Sequence, residues 1–338
     1  MYPFYLGIDL HKDRTYLVLM NSEGEVKKKK QLKNEHIEAY ISEEIPYETY
    51  AVMEATRNWA FLYEILEPRV KKVVIAHPKR LKAIASARVK TDRIDAKTLA
   101  HLARLNYLPI AYAAPQEVRD LRLYVRHRAS LVRQRTQVKN RLIAVLIRYN
   151  LKSPVSDLFG KEGREYIKAV IQEVRPMARR VITEQLELID IYDERIAAVE
   201  KVLELTPEQK SVMDLLQTVP GVGKIHAITI MAEIGELQRF NNPKALCHWA
   251  GLTPKVRKSD RVEHHGRISK EGSPYLRGAL TQAAAIASRI SPKWREVHKK
   301  LEPRCGKKGA KTAIARRLLT VIYYMLKREQ PYQENYSS

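Results

Sequence analysis

Between residues 5 and 105 the hydrophobic pattern keeps changing period. That alternation confines this part of the chain to a sheet with helices packed on it. Residues 5–10 and 15–20 are apolar runs of strand length. Ser22-Glu23-Gly24-Glu25 reads as a hairpin turn, followed by a polar edge strand over 26–32. A short helix is expected at 36–42, a strand at 49–54, a helix at 59–66 and a strand at 70–76. Helices at 79–85 and 93–105 complete the series. Periodicity alone takes this no further than α/β.

Residues 116–150 carry Val118, Leu121, Val125, Leu131, Val138, Leu142 and Val145 at helical spacing, which predicts one long amphipathic helix. Its polar face holds Arg119, Arg122, Arg126, Arg128, Arg133, Arg135, Lys139, Arg141 and Arg148. Acidic residues one turn away, which would neutralise such a face within the helix, are almost absent. The face therefore reads as a contact for the phosphate backbone of DNA or structured RNA. The plain alternative is a solvated helix face. Residues 151–163 read as a loop, and helical spacing returns over 165–205 with a break at Pro176. Its apolar stripe of Ile189, Tyr192, Ile196, Val199 and Leu203 suits either a dimer interface or a spacer packed within the chain.

A third unit begins near Thr206. Leu216 to Gly223, followed by helical residues 225–234, resembles a helix-hairpin-helix. Gly221 and Gly223 would let the backbone approach a phosphate, and Lys224 opens a helix whose N-terminus offers free N–H groups. Pro-Gly-x-Gly is also an ordinary tight turn. Residues 254–273 read as a loop, with helices around 275–288 and 310–328 and a tail from Gln330 without order. The expected organisation is an α/β domain (1–110), a basic helix and helical connector (111–209), a helical C-terminal domain (210–330) and a tail (331–338). The fold class is α/β plus all-α.

Lysine and arginine number 61 against 38 aspartates and glutamates, and the net charge of +23 is spread along the 338 residues. Such a surplus repels itself unless an anionic partner offsets it, and a polyphosphate does so while releasing its counterions. Cys247 and Cys305 stand apart from each other and from any ligand spacing, which argues against a disulfide framework and a zinc site. No apolar run nears the ~20 residues that cross a bilayer, and the N-terminus lacks a signal-peptide pattern. The expectation is a soluble, cytoplasmic protein with no membrane partner.

Chemistry concentrates in two places. Asp9 and Glu54 each close a strand-like run, and strand ends converge in a sheet. Asp92 and Asp95 stand three apart at the start of a helix, on one face. Hard oxygen donors gathered this way suit Mg²⁺ or Mn²⁺. Two such ions ~4 Å apart can activate a nucleophile and stabilise the leaving oxygen of a phosphodiester. Taken singly, Asp92 could cap its helix and Glu54 could pair with Arg57. The second place is Ser259, with Arg257, Lys258, Arg261, Arg267 and Lys270 close in sequence. A serine there can attack a phosphodiester if cations offset the developing charge, although serine in a polar loop is ordinary. His264 and His265 lack further ligands in phase and read as phosphate contacts or plain surface.

With these residues in view, the chain resembles the DEDD-type insertion-sequence transposases, a group that includes the pilin-gene invertases. The resemblance spans residues 4–330. Its first block is Gly7-Ile8-Asp9 with His11-Lys12, Met53-Glu54-Ala55-Thr56, and Lys90-Thr91-Asp92-Arg93-Ile94-Asp95-Ala96. Its second block is Pro220-Gly221-Val222-Gly223, Ala232-Glu233-Ile234-Gly235, Ala250-Gly251-Leu252-Thr253-Pro254, Gly266-Arg267-Ile268-Ser269-Lys270 and Tyr275-Leu276-Arg277. The resemblance implies a ribonuclease-H-like, RuvC-like N-terminal domain, which the strand and helix order of residues 5–105 suits. In it, Asp9, Glu54, Asp92 and Asp95 would bind Mg²⁺.

The resemblance also implies a C-terminal serine that joins covalently to DNA, five residues after the proline of Gly-Leu-x-Pro. That position is Ser259, with Ser269 as the alternative. The family usually has glycine next, where this chain has Asp260. The metal domain of one subunit would meet the serine domain of another in a homodimer or homotetramer. In some members a structured RNA pairs with target and donor DNA, and the setting is a prokaryotic nucleoid. The expected activity is site-specific DNA recombination. The alternatives are a metal-dependent junction nuclease that uses water, and a nucleic-acid-binding protein without catalysis.

Overall fold

The computed structural model describes residues 1–84, 92–259 and 262–334, and of 92–94, 256–259 and 262–265 the backbone alone. The chain divides into two compact units, Met1–Ala113 and Ala114–Ser338.

The first unit opens with β1 (Phe4–Leu10), β2 (Arg14–Asn21) and β3 (Val26–Lys33). It continues with α1 (Ile37–Glu44), β4 (Thr49–Glu54), α2 (Trp59–Leu66), β5 (Lys72–Ala76), α3 (Pro78–Ile84), α4 (Asp92–Arg104) and the short β6 (Ile110–Ala111). The sheet order is β3-β2-β1-β4-β5-β6. Strands β1, β4 and β5 run parallel; the others pair antiparallel with their neighbours. This mixed sheet is consistent with a ribonuclease-H-like domain. The lysine-rich β3 lies at one edge, where charge discourages further strand pairing.

Alternation along the strands sorts their residues between two faces. Leu6, Ile8 and Leu10 of β1 join Ala51 and Met53 of β4 in a core with Ile37 and Ile41 of α1 and Leu62 and Leu66 of α2. Tyr5, Tyr50 and Val52 face the other way, onto Leu99 and Ala103 of α4. Gly7 lies on that second face. A Cβ there would stand 1.9 Å from the Ala96 carbonyl oxygen, so only glycine lets α4 come this close.

The second unit is mainly helical: α5 (Gln116–Arg148), α6 (Lys161–Val170), α7 (Pro176–Val202), α8 (Pro207–Gln217), α9 (Lys224–Ile234), α10 (Pro243–Trp249), α11 (Pro274–Ile290) and α12 (Pro292–Arg328). Helix α5 serves two cores. Leu121 and Val125 join α8 to α12, while Val138, Leu142 and Leu146 pack with Ile167 of α6 and Ile182 and Ile189 of α7. Tyr192 packs against the same core, so the middle of the α7 stripe is buried within the chain. Thr206, Asn242, Ser273 and Ser291 cap α8, α10, α11 and α12, each just before a proline that suits the first helical position. Helix α12 breaks at Gly306, where φ is 71°.

Two expectations are corrected. Most of the segment read as a loop over 254–273 is an antiparallel hairpin, β7 (Pro254–Ser259) with β8 (Val262–Ile268). Its residues are too polar to register as an apolar alternation, so only the pairing reveals it. The tail is ordered as far as it is described. The Tyr332 amide donates to Thr218 Oγ1 at 2.9 Å, and Trp294 Nε1 donates to the Tyr332 hydroxyl at 3.0 Å. Residues 335–338 lie outside the described residues. No helix among the described residues is long and apolar enough to cross a membrane.

Candidate active site and nucleic-acid interface

Strands β1 and β4 lie side by side and parallel, with Ile8 opposite Met53. The next residues, Asp9 and Glu54, therefore stand together at the C-terminal edge. Alternation gives both the same face. Asp9 follows Tyr5 and Gly7, Glu54 follows Tyr50 and Val52, and α4 covers that face. On α4, Asp95 immediately precedes Ala96, whose carbonyl oxygen crowds Gly7. Asp92 begins the same helix one turn earlier. The side chain of Asp92, and Lys90 and Thr91 before it, lie outside the described residues.

Asp9 is 20% exposed, and its Oδ2 lies 3.2 Å from His11 Nε2. Asn58 Nδ2 donates to the His11 carbonyl at 2.9 Å, and Asn34 Nδ2 donates to the His11 and Lys12 carbonyls at 3.0 Å. These amides pin the β1–β2 turn and so hold His11 beside Asp9. Neither Asn34 nor Asn58 stands out in the sequence, since amides near strand ends are ordinary turn residues. Among the described residues, which leave out the Asp92 side chain, no three acidic, histidine or cysteine side chains form a ready metal-binding group.

Ser259 is the last residue of β7 and pairs with Val262, which puts it at the hairpin tip. Its side chain and those of Arg257, Lys258, His264 and His265 lie outside the described residues, as do Asp260 and Arg261. Ser269 is at the opposite end, just past the Pro254–Ile268 pair, and its amide donates to the Thr253 carbonyl at 2.9 Å. Thr253, beside Ser269, is six residues along the strand from Ser259, so the two serines are ~20 Å apart at ~3.4 Å per residue. Ser269 Oγ is buried and without a hydrogen-bond partner among the described residues. Arg277 clamps the hairpin base by donating to the carbonyls of Ala250 (3.1 Å) and Gly272, and burial pushes its guanidinium below the ordinary pKa.

The basic face of α5 is partly committed to the chain itself. Arg122 donates to the carbonyls of Ala232 (2.7 Å) and Glu233 (3.0 Å) near the end of α9. Arg126 holds the Glu233 carboxylate through two bonds of 2.7 and 2.8 Å, and the Glu233 side chain is 1% exposed. This hydrogen-bonded carboxylate raises the Arg126 pKa above its ordinary value. Arg119 donates to the Ala114 carbonyl at 2.7 Å. Arg128 pairs with Glu200 and Arg135 with Asp193, both on α7. Lys139 lies 4.7 Å from the Phe159 ring centroid. Arg133, Arg141 and Arg148 are exposed.

Gly221 has φ 84°, and a Cβ there would lie 2.4 Å from the Ala283 carbonyl oxygen, so the approach of α11 requires this glycine. Gly223 faces open space at the N-cap of α9, followed by the exposed Lys224. Arg267 and Lys270 line an open groove of about 1730 Å³ beside α12. Cys305 is exposed on that groove, whereas Cys247 is buried and its burial pushes the thiol pKa up.

Two family models match the sequence. The DEDD Tnp IS110 model, described as Transposase, matches residues 6–151. A model described as Transposase IS116/IS110/IS902 family matches residues 213–299. The chain is 24% identical over 334 residues to the transposase for insertion sequence element IS1111A of Coxiella burnetii, covering 97% of this chain and 91% of that one. It is 27% identical over 292 residues to the pilin gene-inverting protein of Moraxella lacunata, covering 85% and 80%. A probable family 20 transposase of Pseudomonas aeruginosa is 24% identical over 345 residues, with 97% and 98% covered.

Proposed function

The chain belongs to the DEDD-type insertion-sequence transposases, enzymes of DNA recombination, and on that premise we propose that Asp9, Glu54, Asp92 and Asp95 are its metal-binding acids and Ser259 its nucleophile. The observation that carries this reading is the shared edge: Asp9 and Glu54 end neighbouring parallel strands on the face where α4 begins with Asp92 and Asp95. Carboxylate oxygens suit a hard divalent ion, and Mg²⁺ or Mn²⁺ bound by these four would offset charge at the scissile phosphate. His11 keeps the Asp9 carboxylate oriented.

The Ser259 hydroxyl attacks phosphorus and gives up its proton. The new Oγ–P bond replaces the bond to the 3′ oxygen, which leaves and takes up a proton. Attack by a 3′ hydroxyl of another strand reverses the step and releases the serine. A nicked suicide substrate tests the chemistry. The expected product is a protein–DNA adduct that survives denaturant and is missing from Ser259→Ala. Free cut ends without an adduct would make water the nucleophile and the protein a junction nuclease. The exposed Arg133, Arg141 and Arg148 support backbone contact along α5, by DNA or by a structured RNA. Sequencing the nucleic acid that copurifies distinguishes the two.

On this reading the acids and the serine of one reaction lie on different copies, which requires an assembly. Helix α7 supplies a face for it. Met177, Val181, Leu188, Ile191 and Val202 are exposed, on the side away from the buried Ile182, Ile189 and Ile196. With Glu184, Arg195 and Ala198 they recur at alternating steps of four and three, the spacing of a coiled-coil seam. The seam matches its own reverse. Two antiparallel copies centred between Ile189 and Asp190 set Met177 against Val202, Val181 against Ala198, Leu188 against Ile191 and Glu184 against Arg195. Glu184→Arg or Arg195→Glu alone is expected to weaken the dimer by about tenfold, and the two together to restore it. Sedimentation reads the outcome; a dimer indifferent to both single changes excludes this pairing.

A further inference from the structure

The groove beside α12 has an unusual lining. On α12 its positions Lys308, Thr312, Arg316, Thr320, Tyr324 and Arg328 fall four residues apart. One stripe of the helix therefore follows the groove for about 30 Å, at ~1.5 Å per residue. Lys244 from α10 and Arg267 and Lys270 from the hairpin base add further cations. Among the described residues no aspartate or glutamate lines it. Lys244, Arg267, Lys270, Lys308 and Arg316 are exposed and make no ion pair with the described residues. Between the cations the lining is apolar, with Leu252, Pro254, Ile268 and Ala313. The Arg328 guanidinium lies 5.4 Å from the Tyr324 ring centroid, giving a planar cation and an aromatic ring together.

A duplex keeps its base faces stacked inside, so a concave groove meets mainly its phosphates and sugars. An unpaired strand offers both phosphates and base faces. We infer that this groove binds an unpaired stretch of polynucleotide, with phosphates on Arg267, Lys270, Lys308 and Arg316 and bases against Pro254, Ile268 and the Arg328–Tyr324 pair. Strand exchange requires that a single strand be held once it has left its duplex. The inference thus extends the recombinase reading to a step after cleavage, and does not depend on which residue is the nucleophile.

Fluorescence anisotropy with the full-length chain tests it, using one labelled sequence as single-stranded DNA, single-stranded RNA and DNA duplex at matched salt. Single strands are expected to bind at least about tenfold more tightly than duplex. Whether DNA or RNA leads identifies the natural strand. Lys308→Glu with Arg316→Glu is expected to weaken single-strand binding more than about tenfold and to lower the salt slope by ~1.4, near ~0.7 per phosphate contact. Tyr324→Ala weakens binding about tenfold and leaves that slope unchanged. Cys305 reports independently of any variant, because a strand in the groove slows its alkylation by iodoacetamide. Equal affinity for duplex, or alkylation unaffected by saturating single strand, overturns the inference. These readouts are binding alone, so their failure leaves the covalent-adduct experiment intact, and the reverse.

Discussion

Asp9→Asn is expected to slow recombination between donor and target plasmids by at least about a thousandfold. The change keeps the shape of the side chain and removes its charge. At ~1.4 kcal/mol per tenfold, the expected loss is ~4 kcal/mol of transition-state stabilisation. Nucleic-acid binding should survive, because the chain becomes one unit more positive. Ser259→Ala is expected to be equally inactive. A mixture of the two variants should regain activity, because a mixed assembly has one site with both an intact acid cluster and an intact serine. Full recombination by Asp9→Asn would remove the acids from the reaction. Two inactive variants that fail to complement in a proven mixed assembly would place acids and serine on the same copy.

Arg126→Ala is expected to destabilise the second unit by about 3 kcal/mol, through a different kind of charge. Glu233 is almost completely buried, and Arg126 supplies its two hydrogen bonds. Arg122 is no substitute, since its bond at this residue goes to the carbonyl. Removing Arg126 leaves a buried carboxylate uncompensated, whereas an apolar pair of similar volume avoids the penalty altogether. Arg126→Met with Glu233→Met should therefore recover most of the loss. Glu233→Gln should cost less than Arg126→Ala, because its amide oxygen still accepts from the guanidinium. Urea midpoints followed through Trp249 and Trp294, both in this unit, measure the series. An unchanged midpoint in Arg126→Ala would show that Glu233 gains water or another partner.

That pair also shows where a sequence stops being legible. The charge on α5 is plain from the spacing of its arginines, and so is the scarcity of acids within one turn. The partners that answer it, Asp193, Glu200 and Glu233, lie 58 to 107 residues further on, on two other helices. Only the packing of α7 and α9 brings them close. The acids were easier to read because a strand fixes which face each residue takes: Asp9 and Glu54 close their runs in phase with residues that face α4. The hairpin has no such signature, because residues 254–268 lack an apolar alternation. The order of the tail depends on Tyr332 reaching Thr218 and Trp294, contacts with no local signature. On α7 the stripe visible in the sequence is the buried one, and its exposed counterpart stands out only once the first has been assigned to the core.

Gly7 has a bearing on heredity as well as on packing. No real side chain fits 1.9 Å from the Ala96 carbonyl, so even alanine would push α4 away by about an ångström. A displacement of that size can cost a hundredfold in rate when it moves groups out of reacting geometry. A copy of this chain could therefore keep all four proposed acids and Ser259 and still fall silent through one added methyl group. An intact set of site residues is thus not, by itself, the record of a working element.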